Sequence, residues 1–236
     1  EIREAIERID FFSGVIPAEY KMMSQHPWFK AKEISFNYFK LNDFIQPKNQ
    51  YAESYVGNNI LIGNSGDPTN NHLDVFDFLK KHDIGNRNIY VPLSYGGSKR
   101  YREVVKDVGV RTFGSNFIAL DTFMPYEEYC KIISSCGYVF MFHERQQGMG
   151  NILAALWNGC KLFLSDTSEV YRMFKNYGVH VFSIQNDFVC TGCGFPLTYE
   201  EIIDNREQLI KKRSPKFFLE NIYKMYATFQ KDIYGN

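Results

Sequence analysis

Residues 138–165, YVFMFHERQQGMGNILAALWNGCKLFLS, decide the fold. An unbroken apolar run, Tyr138–His143, leads through a polar turn into a small-residue helix pattern over Gly148–Trp157. A glycine, Gly159, then precedes a second apolar run, Lys161–Ser165. Continuous rather than alternating apolar runs mark parallel strands covered on both faces. Strand, helix, strand in so short a span is one right-handed crossover unit.

The same rhythm extends outward in both directions. Strands are predicted at Asn59–Gly63, Asn88–Leu93, Val110–Phe113 and His180–Ile184. Helices are predicted over Pro68–Lys81, Lys99–Val108, Pro125–Cys136 and Glu169–Asn176. Leu73, Phe76, Leu79 and Lys80 form the buried stripe of the first of these, and Gly85 and Gly109 read as helix stops. The repetition predicts an α/β fold with a doubly wound parallel sheet. Beyond it, Tyr199–Lys212 and Pro215–Ile233 read as two helices split at Arg213-Ser214-Pro215. Residues 1–57 read as a remnant of another domain, ending in a polar linker over Asn42–Tyr55, and 58–236 as the sheet domain with its C-terminal helices.

Composition narrows the class. The 236 residues carry 27 basic and 27 acidic side chains, and zero net charge argues against a dedicated nucleic-acid binder. No apolar stretch approaches the ~18 residues of a membrane span, and EIREAIERIDFF reads as a charged helix rather than a signal peptide. Five cysteines are too few and too uneven for a disulfide framework and fit a reducing, cytoplasmic compartment.

In an open parallel sheet, ligands bind beyond the carboxyl ends of the strands. The loop Gly63-Asn64-Ser65-Gly66-Asp67, continuing to Asn70 and His72, follows the first sheet strand. Its glycines admit a ligand to the backbone and the next helix offers free N–H groups, an arrangement suited to phosphate. A tight turn with Asp67 as a plain N-cap accounts for the same residues. The loop Arg145-Gln146-Gln147-Gly148-Met149-Gly150-Asn151 concentrates donors and one guanidinium at a second helix start, favouring phosphate or pyrophosphate. A third turn, Ser94-Tyr95-Gly96-Gly97-Ser98, lies on the same edge; a simple connection accounts for it, and Tyr95 and Gly96 stand as candidate substrate contacts. Thr122-Phe123-Met124-Pro125 offers a surface for a nucleobase, though the pattern is commonplace.

Other motifs carry less. Cys190 and Cys193 lack a second ligand pair for zinc, the five histidines show no metal spacing, and no Asp-x-Asp clip occurs. Neither a dinucleotide fingerprint nor a Walker A loop is present, which disfavours a Rossmann dehydrogenase. The expected ligand is a nucleotide or nucleotide-sugar, held without metal or cofactor.

Gly148–Val181 resembles the donor-binding half of GT-B glycosyltransferases. More narrowly, Leu61–Asp67 with Asn70 and His72, Val91-Pro92, and Phe142 with Arg145-Gln146-Gln147-Gly148 and Gly150 are similar to glycosyltransferase family 56. These are the TDP-N-acetylfucosamine:lipid II N-acetylfucosaminyltransferases of enterobacterial common antigen assembly. Gln25-His26-Pro27 is similar to that family's inter-domain region. The resemblance implies transfer of an amino-deoxy sugar from a dTDP-type donor to a polyprenyl-diphosphate-linked glycan, on the inner face of the bacterial cytoplasmic membrane. It implies that Gly63, Asn64, Ser65, Gly66 and Asp67 line the donor. Arg145, Gln146, Gln147, Gly148 and Gly150 would then stabilise the departing diphosphate. His143-Glu144 departs from the family pattern, so Glu144 stands only as an ionisable candidate for sugar-hydroxyl contact. Family members are longer, with the acceptor site and general base expected in an N-terminal domain. A sugar-nucleotide epimerase or a non-catalytic interaction module are the competing readings.

Overall fold

The computed structural model describes residues 2–36, 41, 57–188 and 195–235. Cys190, Cys193 and the expected linker over 42–55 lie outside the described residues. The chain divides into two compact units, Ile45–Gln208 and Glu1–Phe44 with Leu209–Asn236.

The larger unit holds six parallel strands in the order β5-β4-β3-β6-β7-β8. They are β3 (Asn59–Ile62), β4 (Ile89–Pro92), β5 (Phe117–Leu120), β6 (Cys136–Met141), β7 (Lys161–Leu164) and β8 (Phe182–Ser183). All six residues of β6 and all four of β7 are buried, as the continuous apolar runs require. Chain order reverses at the β3–β6 pair, where Ile60, Leu61 and Ile62 register with Tyr138, Val139 and Phe140. The right-handed crossover rule puts α3 (His72–Leu79) and α4 (Lys99–Phe113) on one face, and α6 (Met149–Trp157) and α7 (Glu169–Asn176) on the other. One core cluster includes Val75, Phe76 and Leu79 of α3, Val105 of α4 and Phe140 and Phe163 of the sheet. This part also holds α5 (Tyr126–Ser135) and most of α8 (Tyr199–Arg213).

The structure corrects several expectations. Val110–Phe113 is no strand but the last turn of α4, and the strand follows at Phe117–Leu120. Gly109 is therefore no helix stop. A Cβ there would lie 2.2 Å from the Phe117 ring, so the glycine lets α4 settle on the start of β5. The helix expected over Pro68–Lys81 is broken in two, a 3₁₀ turn at Pro68–Asn70 and then α3, because Asn71 adopts a left-handed conformation (φ 52°). Its side chain donates to the Phe142 carbonyl at 2.7 Å, which holds that kink against the end of β6. Lys80 is exposed and pairs with Asp77, Leu73 is only half-buried, and α3 ends well before Gly85. His72 and Val75 complete the stripe instead.

The smaller unit contains α1 (Ile2–Ile6), β1 (Phe11–Phe12), α2 (Pro17–Met23), β2 (Lys32–Glu33) and α9 (Pro215–Tyr234). Strands β1 and β2 pair in parallel. Phe11 meets Phe229 edge-on at 4.8 Å, Phe12 packs on Phe29, and Lys32 pairs with Asp232. Among the described residues no helix is long and apolar enough to cross a membrane.

Candidate functional site

The β3–α3 and β6–α6 loops leave neighbouring strands at the point where strand order reverses, and they touch. Thr69 Oγ1 lies 2.6 Å from Gln147 Oε1, Gln147 Nε2 lies 3.3 Å from Asn64 Oδ1, and Arg145 Nη2 donates to Thr69 Oγ1 at 3.3 Å. Arg145 and Asp67 face each other at 4.0 Å. Gly148 begins α6 in a left-handed conformation (φ 63°), and any Cβ there would sit 2.9 Å from Asn64 Cγ. Only glycine allows this closeness.

Asp67 is the N-cap of the 3₁₀ turn, accepting from the Thr69 backbone N–H at 3.0 Å and the Thr69 hydroxyl at 2.6 Å. These two bonds, with Arg145 adding to them, hold its carboxyl below the usual carboxylate range. Asn70 and His72 are fully buried and face into the loop rather than the solvent. Asn70 is the loop's template: its Oδ1 accepts from the Asn64 N–H, and its Nδ2 donates to the Ser65 and Asp67 carbonyls. His72 lies under Gly63, whose added Cβ would be 2.8 Å from Nε2, and its Nδ1 is 3.2 Å from the Tyr101 hydroxyl. Burial pushes the His72 pKa down to about 4. Both side chains are thus sealed behind the loop they shape.

Ser65 and Asn64 are buried too, while Tyr95 stands half-exposed with its hydroxyl 3.4 Å from Asn64 Nδ2. The turn therefore packs against the β3–α3 loop. Gly96 lies against Ser65 and Asp67, and Gly97 is so close to the Gly66 carbonyl that a Cβ would be 2.0 Å away. Gln146 is half-buried in the β6–α6 loop, and Gly150 and Asn151 stand in the first turn of α6, where N–H groups are free.

Glu144 points elsewhere. Its carboxylate accepts from the Ser165 hydroxyl at 2.7 Å and the Thr167 hydroxyl at 2.5 Å, at the end of β7. Gln185 donates to Ser165, and Asn186 binds Asp166, so a polar cluster adjoins the cradle on the β7–β8 side. On the other side the loops after β4 and β5 present Tyr95 and Phe123 (89% exposed). His143, between strand and loop, is wholly buried with neither ring nitrogen bonded, and burial pushes its pKa to about 4. Among the described residues no group of three or more His, Cys, Asp or Glu side chains is placed to hold a metal ion.

The reading of the sequence missed Thr69, Asn71, Ser165 and Thr167. Thr69 had a signal, since a hydroxyl two residues after an Asp-Pro helix start commonly bonds that cap. Ser165 and Thr167 had none.

The family model described as 4-alpha-L-fucosyltransferase glycosyl transferase group 56 matches residues 18–226. The chain belongs to this family. Its fold is that of GT-B glycosyltransferases. Sucrose-phosphate synthase from Thermosynechococcus elongatus superposes with a TM-score of 0.68 at 12% identity, covering 97% of this chain. A glycosyltransferase from Rickettsia africae gives 0.66 at 12% identity over 98% of this chain. A variant of S. aureus TarM, in complex with fondaparinux, alpha-GlcNAc-glycerol and UDP, gives 0.64 at 14% identity over 95%. The chain spans 60% of the synthase, 67% of the Rickettsia protein and 45% of TarM.

Proposed function

We propose that the larger unit binds the donor of a glycosyltransferase that moves a fucose-type, amino-deoxy sugar from a dTDP-type nucleotide to a polyprenyl-diphosphate-linked glycan. The single observation that carries this is the junction of the β3–α3 and β6–α6 loops through Thr69, Gln147, Asn64 and Arg145. It combines a guanidinium, a free helix start and glycine-lined backbone at the sheet's switch point, which suits a diphosphate. Membership in group 56 supports the fucosyl unit, and the UDP in the TarM structure supports a nucleoside diphosphate.

The two flanks give the donor a direction. A nucleobase suits the aromatic side, against Phe123 and Tyr95, because every base has a π-face to stack. Sugar hydroxyls suit the opposite side, where Glu144, Ser165 and Thr167 form an adaptable set of donors and acceptors. Arg145 would then stabilise charge growing on the departing diphosphate, an electrostatic contribution realised most in the transition state. The lipid-linked acceptor, the general base and a peripheral station on the inner membrane face follow from the family resemblance. Calorimetry with dTDP, UDP, GDP and NAD tests the donor class. Tightest binding of dTDP supports the reading, and no binding of any nucleoside diphosphate by the folded chain defeats it.

A further inference from the structure

The cradle as assembled has no surplus positive side-chain charge. Arg145 faces Asp67 at 4.0 Å, and Glu144 stands next in sequence. A nucleoside diphosphate carries more than one negative charge, so two helix starts and a compensated arginine leave it under-matched.

The missing charge lies on α4. Its first turn reads Lys99-Arg100-Tyr101-Arg102, with no acidic residue. Cations at a helix N-terminus oppose the macrodipole, each at a cost of a few tenths of a kcal/mol or more. Such a break with local preference is expected where a site requires it. Among the described residues none of the three basic side chains has an ion-pair partner, whereas Lys106 on the same helix pairs with Glu103 and Asp121.

Arg102 is placed to use that charge. A Cβ on Gly66, in the heart of the β3–α3 loop, would lie 2.6 Å from Arg102 Cδ and 2.7 Å from Cγ. The aliphatic stem therefore packs directly on the cradle. Helical side chains lean toward the N-terminus of their helix, here the ligand-binding edge of the sheet. The turn itself is fixed: Ser98 caps it through the Tyr101 N–H, and Tyr101 is held on buried His72. Arg145 approaches the Gly63–Asp67 loop from the β6 side and Arg102 from the β4 side.

We infer that Arg102 is a second diphosphate-binding arginine, contacting the phosphate nearer the nucleoside, with Lys99 and Arg100 raising the local positive potential. This rests on the donor reading above.

The test is calorimetric titration of the full chain with dTDP, comparing wild type with Arg102→Met, Arg145→Met and Arg111→Met. Methionine keeps much of the stem that packs on Gly66 while removing the charge. Arg111, at the far end of α4, bonds the Asp107 carbonyl and serves as control. Thermal melts verify that each variant is folded. The expected result is a loss of dTDP affinity on the order of ten- to hundredfold for Arg102→Met, the size of one charged hydrogen bond. A shallower salt dependence should accompany it, with Arg111→Met unchanged. If Arg102→Met binds like wild type while Arg145→Met is weakened, the cradle stands and the inference falls. If the wild-type chain binds no nucleoside diphosphate, both fall. If Arg102→Met melts early, Arg102→Lys decides: restored affinity supports the inference, and affinity left low at normal stability overturns a role for charge.

Discussion

Thr69 and Gln147 belong to different strand-to-helix loops, yet their side-chain oxygens lie 2.6 Å apart. Thr69 is equally close to Asp67 Oδ1, and one hydroxyl proton serves one of them at a time. Turning the Gln147 and Asn64 amides end for end resolves this. Tyr95 then donates to Asn64, Asn64 to Gln147, Gln147 to Thr69 and Thr69 to Asp67, a relay across three loops.

Thr69→Val should therefore weaken dTDP binding by about 0.5–1.5 kcal/mol, the net worth of one hydrogen bond. Tyr95→Phe should show a similar but non-additive effect, because the bonds in a chain support one another. Strict additivity in a double-mutant cycle would contradict the relay.

Arg145→Ala should cost about 1–3 kcal/mol in nucleoside diphosphate affinity with little change in melting temperature. The side chain is 60% exposed, so few packing contacts are lost. Unchanged affinity would count against the cradle.

Acid should unfold the larger unit early. His72 and His143 are buried neutral, with pKa values near 4 against the ordinary 6.5. Above pH 6.5 neither state binds a proton at these rings, and they leave stability unchanged. As pH falls from 6.5 toward 4, the unfolded chain takes up protons that the folded chain refuses, so stability declines by about 1.4 kcal/mol per pH unit for each. Denaturant melts across that window should show the slope, and His143→Asn should reduce it.

Gly109→Ala should destabilise by about 1–3 kcal/mol through overpacking against Phe117 while leaving dTDP affinity unchanged. It separates damage to the sheet from damage to the site.

Fold and site were not equally legible. The strand expected at Tyr138–His143, found at Cys136–Met141, announces itself because burial on both faces demands an unbroken apolar run. Asn71 did not, since its left-handed turn depends on a bond to Phe142 that only the folded sheet creates. Gly109 misled for a related reason: its lack of a side chain serves a distant ring, not the local chain. Within the site, Gly63–Asp67 and Arg145–Gly148 were readable as loops, but their inward and outward sides were not. Asn70 and His72 look like ligand contacts until their burial is seen. Arg102 carries no signal in the sequence, because its closeness to Gly66 is a matter of packing between neighbouring loops.

The reversal of strand order has a kinetic meaning. β3 and β6 are the seam between a half built from residues 59–120 and another from 136–184. Each half is made of local crossovers, whereas the seam joins segments 77–78 residues apart and must close a long loop, a slow kind of contact. The cradle straddles that seam, so it exists only once both halves have met. A chain cut near Phe123 should yield fragments that regain nucleotide binding only on mixing, and the ligand should speed their union.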